Sequence, residues 1–240
     1  MKVIGIIPSR YESTRFPGKP LIDLAGKTMI QRVYEGVSRA QLIDRVIVAT
    51  DDQRIFSEVE SFGGEVMMTS TQHQTGTDRC IEIVNEVDQC DIAINIQGDE
   101  PLVNADQIDQ IVDAFSDSTV QIATLANSNI SRDEIENVNR IKLVLDQNDN
   151  ALYFSRSAIP NASKGELLHL YLKHIGLYAF RKEALKRIET MMPCDLEQAE
   201  SLEQLRWMFY GEKIKVIKTS IQTPNIDVPE DVEKVLSLLR

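Results

Sequence analysis

Arg10, Arg15 and Lys19 share one short stretch, Pro8-Ser9-Arg10-Tyr11-Glu12-Ser13-Thr14-Arg15-Phe16-Pro17-Gly18-Lys19. Guanidinium forks and an ammonium on a loop shaped by glycine and proline suit a polyphosphate, whose oxygens accept several charge-assisted hydrogen bonds. A connecting turn needs the glycine and prolines but not three cations together; a solvated basic turn is the plainer alternative. A second stretch, Gln97-Gly98-Asp99-Glu100-Pro101, offers carboxylates. Opposite a polyphosphate loop, Asp99 is a natural Mg²⁺ ligand. Against this stands helix capping by Asp99 or Glu100, a role for which Asn104 is better placed. Thr75-Gly76-Thr77-Asp78-Arg79 opens a helix. Thr77 or Asp78 could cap it, or its first N–H groups could receive polar groups of a nucleotide. Arg79 in a first turn opposes the helix dipole, which points to an anionic ligand. Asp52 reads as an N-cap, and Asp51 and Asp52 both suit a helix start.

Further along, Ser155-Arg156-Ser157 follows the apolar run Ala151–Phe154, and His174 sits inside an apolar strand two residues before Gly176. A lone strand histidine is either a satisfied structural group or a ligand-binding one. Glu197, Glu200, Ser201 and Glu203 share a predicted helix, Leu196–Met208, with Leu202 and Leu205; most of its acids read as a solvated face. Asp227 precedes Pro229 and is either a helix-entry carboxylate or a second metal ligand opposite Asp99.

The elements that must position these residues alternate. Short apolar runs predict strands at Val3–Ile7, Arg45–Thr50, Glu65–Met68, Ile92–Ile96 and Val120–Leu125. Between them, apolar residues recur at helical spacing, as in Met29-Ile30-Val33-Val37 and Cys80-Ile83-Val84-Val87. This repetition implies an α/β fold with a mostly parallel sheet. The polar clusters after strands one to four then share the carboxyl edge, where such sheets bind ligands. The first loop lacks both G-x-G-x-x-G and G-x-x-x-x-G-K-[ST], against a common dinucleotide fold and a P-loop. Beyond residue 130 the alternation loosens. Strands are expected at Lys142–Leu145, Ala151–Ser155, Lys173–Phe180 and Lys213–Lys218, and helices at Glu183–Met191, Leu196–Met208 and Pro229–Leu239. Asn161–Leu168 reads as a polar connection.

The chain has 240 residues, a net charge of −11 and 42% apolar residues. That is enough for one sizeable α/β domain with a subsidiary lobe. The acidic balance disfavours nucleic acid and anionic membrane as partners and makes the cationic loop stand out. No apolar run reaches membrane-spanning length. Met1-Lys2 leads straight into a strand, with no signal-peptide pattern. Cys80, Cys90 and Cys194 are odd in number without metal-ligand spacing, as expected of free thiols in a reducing cytoplasm.

Taken together, several long motifs resemble the 3-deoxy-manno-octulosonate (Kdo) cytidylyltransferases, the CMP-Kdo synthetases of lipopolysaccharide assembly. They are Ile7-Pro8-Ser9-Arg10 through Pro17-Gly18-Lys19-Pro20-Leu21, Val48-Ala49-Thr50-Asp51-Asp52, Gly76-Thr77-Asp78-Arg79, Asn95-Ile96-Gln97-Gly98-Asp99-Glu100-Pro101, Tyr153-Phe154-Ser155-Arg156-Ser157, His174-Ile175-Gly176-Leu177-Tyr178, Glu200 through Arg206, and Pro229-Glu230-Asp231. The resemblance spans the chain. It implies a Rossmann-like, doubly wound, mostly parallel sheet of the nucleotide-diphospho-sugar transferase type. One domain, 1–240, would divide into a nucleotide-binding half to about residue 130 and a sugar-pocket and dimerisation half, 131–240. The implied reaction is CTP + Kdo → CMP-Kdo + diphosphate with Mg²⁺, by a cytoplasmic homodimer.

By the same resemblance, Pro8, Ser9, Arg10, Arg15, Lys19, Gly76 and Thr77 would bind CTP. Lys19, Arg10, Asp99 and Asp227 would be catalytic, with Asp99 and Asp227 on the metal. Arg79, Gln97, Arg156, His174, Tyr178, Glu200 and Ser201 would hold the sugar acid. Val228 stands where the family usually has Thr, which removes a hydroxyl cap beside Asp227. Gln74-Thr75 replaces Pro-Ser, and Asn161–Leu168 is short. Transfer to an amino analogue of Kdo, and a nucleotide-binding regulator without turnover, are the alternatives. Retention of Lys19, Asp99 and Asp227 together argues against the regulator.

Overall fold

The computed structural model describes residues 1–12, 16–161 and 168–239. Arg15 and the stretch 162–167 lie outside them. The chain clusters into two compact units, Met1–Asp109 with Thr223–Arg240, and Gln110–Gln222.

In the first unit, β1 (Val3–Ser9), β2 (Arg45–Thr50), β3 (Val66–Met68) and β4 (Ile92–Asn95) form an all-parallel sheet in the order β3-β2-β1-β4. The uninterrupted apolar runs of β1, β2 and β4 are buried on both faces, as parallel strands require. The helices are α1 (Met29–Val37), α2 (Gln53–Ser61) and α3 (Gly76–Glu86), and α4 (Ala105–Asp113) carries the chain into the second unit. Gly5 of β1 lies against Val37 of α1, while Pro8 lies against Gly76 of α3. Residues 5 and 8 point to opposite faces of a strand, so α1 and α3 cover opposite faces: the sheet is doubly wound.

Local chemistry explains the helix starts. Thr28 caps α1, and Asp52 caps α2 by accepting from Arg54 N–H. Asn104 accepts from Asp106 N–H at the start of α4. The cap of α3 is Thr75 rather than Thr77 or Asp78; Asp78 completes a capping box by accepting from Thr75 N–H. The last helix, α9 (Asp231–Leu238), starts two residues later than its proline indicates and brings Val235 against Leu24, Met29 and Ile226.

In the second unit, β5 (Ile122–Asn127) pairs antiparallel with β8 (Leu172–Arg181) and parallel with β9 (Ile214–Thr219). β6 (Lys142–Leu145) and β7 (Ala151–Ser155) form a hairpin, and β6 also pairs with β8. Its helices are α5 (Arg132–Glu136), which the sequence pattern missed, α6 (Lys182–Ile188), α7 (Asp195–Glu200) and α8 (Gln204–Phe209). The helix predicted over Leu196–Met208 is therefore two helices. Ser201 breaks it with φ 51° and ψ 51°, and its N–H donates to Glu197 O to close α7. Leu202, Leu205 and Trp207 are then buried from the new direction of α8.

Candidate functional site

The first unit gathers its loops around the end of β1. A Cβ on Gly76 would lie 3.3 Å from Pro8 Cγ and from the Asn95 amide; one on Gly98 would lie 3.0 Å from Pro8 O. Side chains at 76 and 98 would thus hold both loops off the strand end. The two glycines bring Pro8, Ser9, Thr77 and Gly98 together. Ser9 Oγ and Asn95 Oδ1 are buried there without a hydrogen-bond partner. Asn95 was not read from the sequence as a site residue; its signal was a polar side chain ending an apolar strand.

Beside this cradle, Gly18 takes φ 72° and donates its N–H to Tyr11 O at 2.9 Å, starting the short 3₁₀ turn that carries Lys19. Lys19 Nζ donates to Asp99 Oδ2 at 3.0 Å and to Ile226 O at 2.8 Å. Ile226 N–H donates to Asp99 O at 2.9 Å. The backbone thereby places Asp227 one residue from the Lys19–Asp99 pair, although the two acids are far apart in sequence. Asp227 Oδ2 accepts from Asn225 Nδ2 at 2.6 Å. The hydroxyl that Val228 lacks is replaced by Asp231, whose carboxylate accepts from the N–H groups of Asp227 and Val228. Burial and the neighbouring charge of Asp99 push the Glu100 carboxyl up to about 7, and Glu100 Oε2 accepts from Thr223 Oγ1–H at 3.0 Å. Arg10 and Gln97 are exposed.

Among the described residues no three His, Cys, Asp or Glu side chains are grouped to enclose a metal. Asp99 and Asp227 offer hard carboxylate oxygens alone. That set fits Mg²⁺, which is commonly held by one or two carboxylates completed by water and substrate phosphate.

Arg79 is a correction. Its guanidinium is buried and donates to Asp51 Oδ2 at 2.6 Å and to Thr69 Oγ1 at 2.5 Å, rather than opening toward an anionic ligand. The ion pair ties α3 to the ends of β2 and β3, which also explains why its unfavourable first-turn position is tolerated. Asp51 is correspondingly the arginine's partner, not a second helix-start acid. His73, set between these elements, pairs with Glu82.

In the second unit, Arg156 and Glu200 form one knot. Arg156 N–H donates to Glu200 Oε2 at 2.9 Å, and Ser155 Oγ–H to Glu200 Oε1 at 2.6 Å. The Arg156 guanidinium donates to the carbonyls of Glu200 and Val138 and, at 3.4 Å, of Ser201. The left-handed turn at Ser201 aims the Glu200 and Ser201 carbonyls at the arginine. His174 and Tyr178 lie in an aromatic cluster with Phe154, Phe180 and Trp207. Burial pushes His174 down to about 3, so its imidazole is neutral; Nε2 lies 3.0 Å from Thr124 Oγ1. Burial pushes the Tyr178 phenol well up. Both groups can therefore act as neutral hydrogen-bonding partners, not as charges.

A parallel sheet with the Lys19–Asp99 pair at its carboxyl edge has the layout of a ligand-binding α/β fold. The sequence pattern of the cytidylyltransferase family matches residues 4–214. The chain belongs to the cytidylyltransferase family. It is 52% identical to a 3-deoxy-manno-octulosonate cytidylyltransferase of Parabacteroides distasonis, over 100% of this chain and 98% of that one. It is 46% identical to the enzyme so named in Syntrophobacter fumaroxidans, over 100% and 97%. A solved structure of CMP:2-keto-3-deoxy-manno-octonic acid synthetase complexed with CTP superposes with a TM-score of 0.93 at 41% identity, covering 100% of this chain and 98% of that one.

Proposed function

We propose that this protein catalyses CTP + Kdo → CMP-Kdo + diphosphate, the activation of Kdo for lipopolysaccharide assembly. The observation that carries this is the convergence of Lys19, Asp99 and the Ile226–Asp227 segment beside the Gly76–Pro8–Gly98 cradle, in a chain 52% identical to an enzyme named for that reaction. Pro8, Ser9, Gly76 and Thr77 supply neutral groups for the nucleoside end of CTP. Arg10 and Lys19, with Arg15 from the same loop, take the triphosphate. Arg156, His174, Tyr178, Glu200, Ser201 and Gln97 hold the sugar acid.

The anomeric hydroxyl attacks the α-phosphate, its oxygen–phosphorus bond forms, and the bond to the departing diphosphate breaks. The chain's contribution is positioning and neutralisation. Lys19 stabilises charge on the leaving diphosphate from a place fixed by Asp99 and Ile226 O. The Asp99 and Asp227 carboxylates would hold Mg²⁺. When bound, the ion supplies Lewis acidity toward phosphate and the attacking hydroxyl. No side chain is required as a dedicated base: the proton of the attacking hydroxyl passes to water as the new bond forms.

We assign the protein to the cytoplasm as a homodimer. Cys80, Cys90 and Cys194 are buried and form no disulfide, which suits a reducing compartment. No helix among the described residues is long and apolar enough to cross a membrane. The test is diphosphate release from CTP with Kdo, with its 8-amino analogue and with sialic acid, each with and without Mg²⁺. Release with Kdo that depends on Mg²⁺ is expected. CTP binding without release from any sugar would leave a nucleotide-binding regulator.

A further inference from the structure

Lys142 is fully buried within the second unit, on β6 opposite Ser155 of β7. An ammonium taken wholly out of water is costly unless every donor is satisfied. Here all three are: Lys142 Nζ donates to Asn137 O at 3.0 Å, Arg140 O at 2.6 Å and Arg156 O at 2.5 Å. It therefore has no donor left for a ligand. What it does is tie the segment before β6 to the residue after β7. That residue is Arg156, and Val138, inside the tied segment, accepts one of the Arg156 guanidinium bonds. Glu200 then accepts from Ser155 and from Arg156 N–H.

The knot is asymmetric in charge. Two cations, Lys142 and Arg156, face one carboxylate, Glu200. The neighbouring Lys173, register partner of Lys142 on β8, is already neutralised by Glu134 at 2.6 Å. Among the described residues of this knot one positive charge is uncompensated, in a partly desolvated setting where it attracts an anion more strongly than at an open surface. An apolar residue at 142 would fill the strand position with no such charge and no tie to Arg156.

We propose that Lys142 is a positioning residue for the acidic substrate: it fixes Arg156 and residues 137–140 by its three carbonyl bonds and supplies the excess positive charge that favours a carboxylate beside Glu200. This rests on the reading that Arg156 and Glu200 hold the sugar acid. Lys142 touches no reacting atom.

The experiment is steady-state diphosphate release by the full chain, varying Kdo at saturating CTP and CTP at saturating Kdo. Lys142→Met is expected to raise KM for Kdo by about tenfold or more, while KM for CTP stays within about twofold. CTP binding and the thermal midpoint show whether the variant is folded. Should Lys142→Met fail to fold, Ser155→Ala, which removes one bond to Glu200 and leaves the buried charge, reads the same knot. It is expected to raise KM for Kdo by about threefold or more, with KM for CTP unmoved. A Kdo KM equal to wild type in the folded Lys142→Met variant, or equal rises in both KM values, overturns the proposal; so does an unmoved Kdo KM in Ser155→Ala where that variant is the one tested. Wild-type enzyme that binds CTP but releases no diphosphate with Kdo defeats the assignment of the reaction instead, so the two failures are distinguishable.

Discussion

Replacing Lys19 by Met keeps the aliphatic stem and removes the ammonium. In the structure that ammonium makes two bonds, to Asp99 at 3.0 Å and to Ile226 O at 2.8 Å, with the lysine side chain 14% exposed and the aspartate 26%. Hydrogen bonds to charged groups contribute about 1.5–3 kcal/mol, and at this partial exposure the lower end applies to folding. The effect on turnover is larger. Loss of one positioned donor at a developing negative charge costs about 2.7–4 kcal/mol. At about 1.4 kcal/mol per decade, that is a fall of roughly 100- to 1000-fold in kcat/KM for CTP. Diphosphate release measures it, and urea unfolding without substrate measures the smaller folding loss. Lys19→Arg keeps the charge and is expected to recover part of the rate. A Lys19→Met enzyme within about fivefold of wild-type kcat/KM would refute the role given to this ammonium.

Three further outcomes follow from the same geometry. Arg79→Ala leaves Asp51 without its buried partner and is expected to cost about 3–5 kcal/mol in unfolding free energy; a change in KM for Kdo with unfolding unaltered would return Arg79 to ligand binding. His174, held down to about 3 by burial, stays neutral in the folded state and titrates near 6.5 when unfolded. Its contribution is thus complete above pH 6.5 and is lost as pH falls toward 3, by up to about 1.4 kcal/mol per pH unit. Urea midpoints against pH should show that slope, and His174→Asn should flatten it. Ser201, at φ 51°, accepts Gly with little loss or a small gain, whereas Ser201→Val is expected to cost about 1–2 kcal/mol or more by thermal unfolding.

Much of the scaffold was legible because its signals are local. The apolar runs of β1, β2 and β4 are buried on both faces, and Asp52 and Asn104 cap the helices that follow them. Contacts distant in sequence were not legible. Arg79 and Asp51 are 28 residues apart, so an arginine misplaced for its helix dipole read as a ligand group rather than as half of a buried pair. Ser201 interrupts a run rich in strong helix formers, and nothing in a serine announces a left-handed turn. Lys142 sits in a strand pattern as one polar residue among apolar ones; only the three carbonyls around it explain why it is there. The residues alone left Asp227 open between a helix-entry carboxylate and a partner for Asp99, and the family resemblance favoured the latter; the Ile226–Asp99 backbone bond supplies the physical reason for their approach.

Identification of the products formed from CTP and Kdo with Mg²⁺, by ³¹P nuclear magnetic resonance and mass spectrometry, tests the central claim most directly. Cytidylyl transfer predicts CMP-Kdo and diphosphate in equal amounts, with neither formed when Kdo is omitted. Formation of CDP and phosphate, or consumption of CTP at the same rate without the sugar, would contradict it.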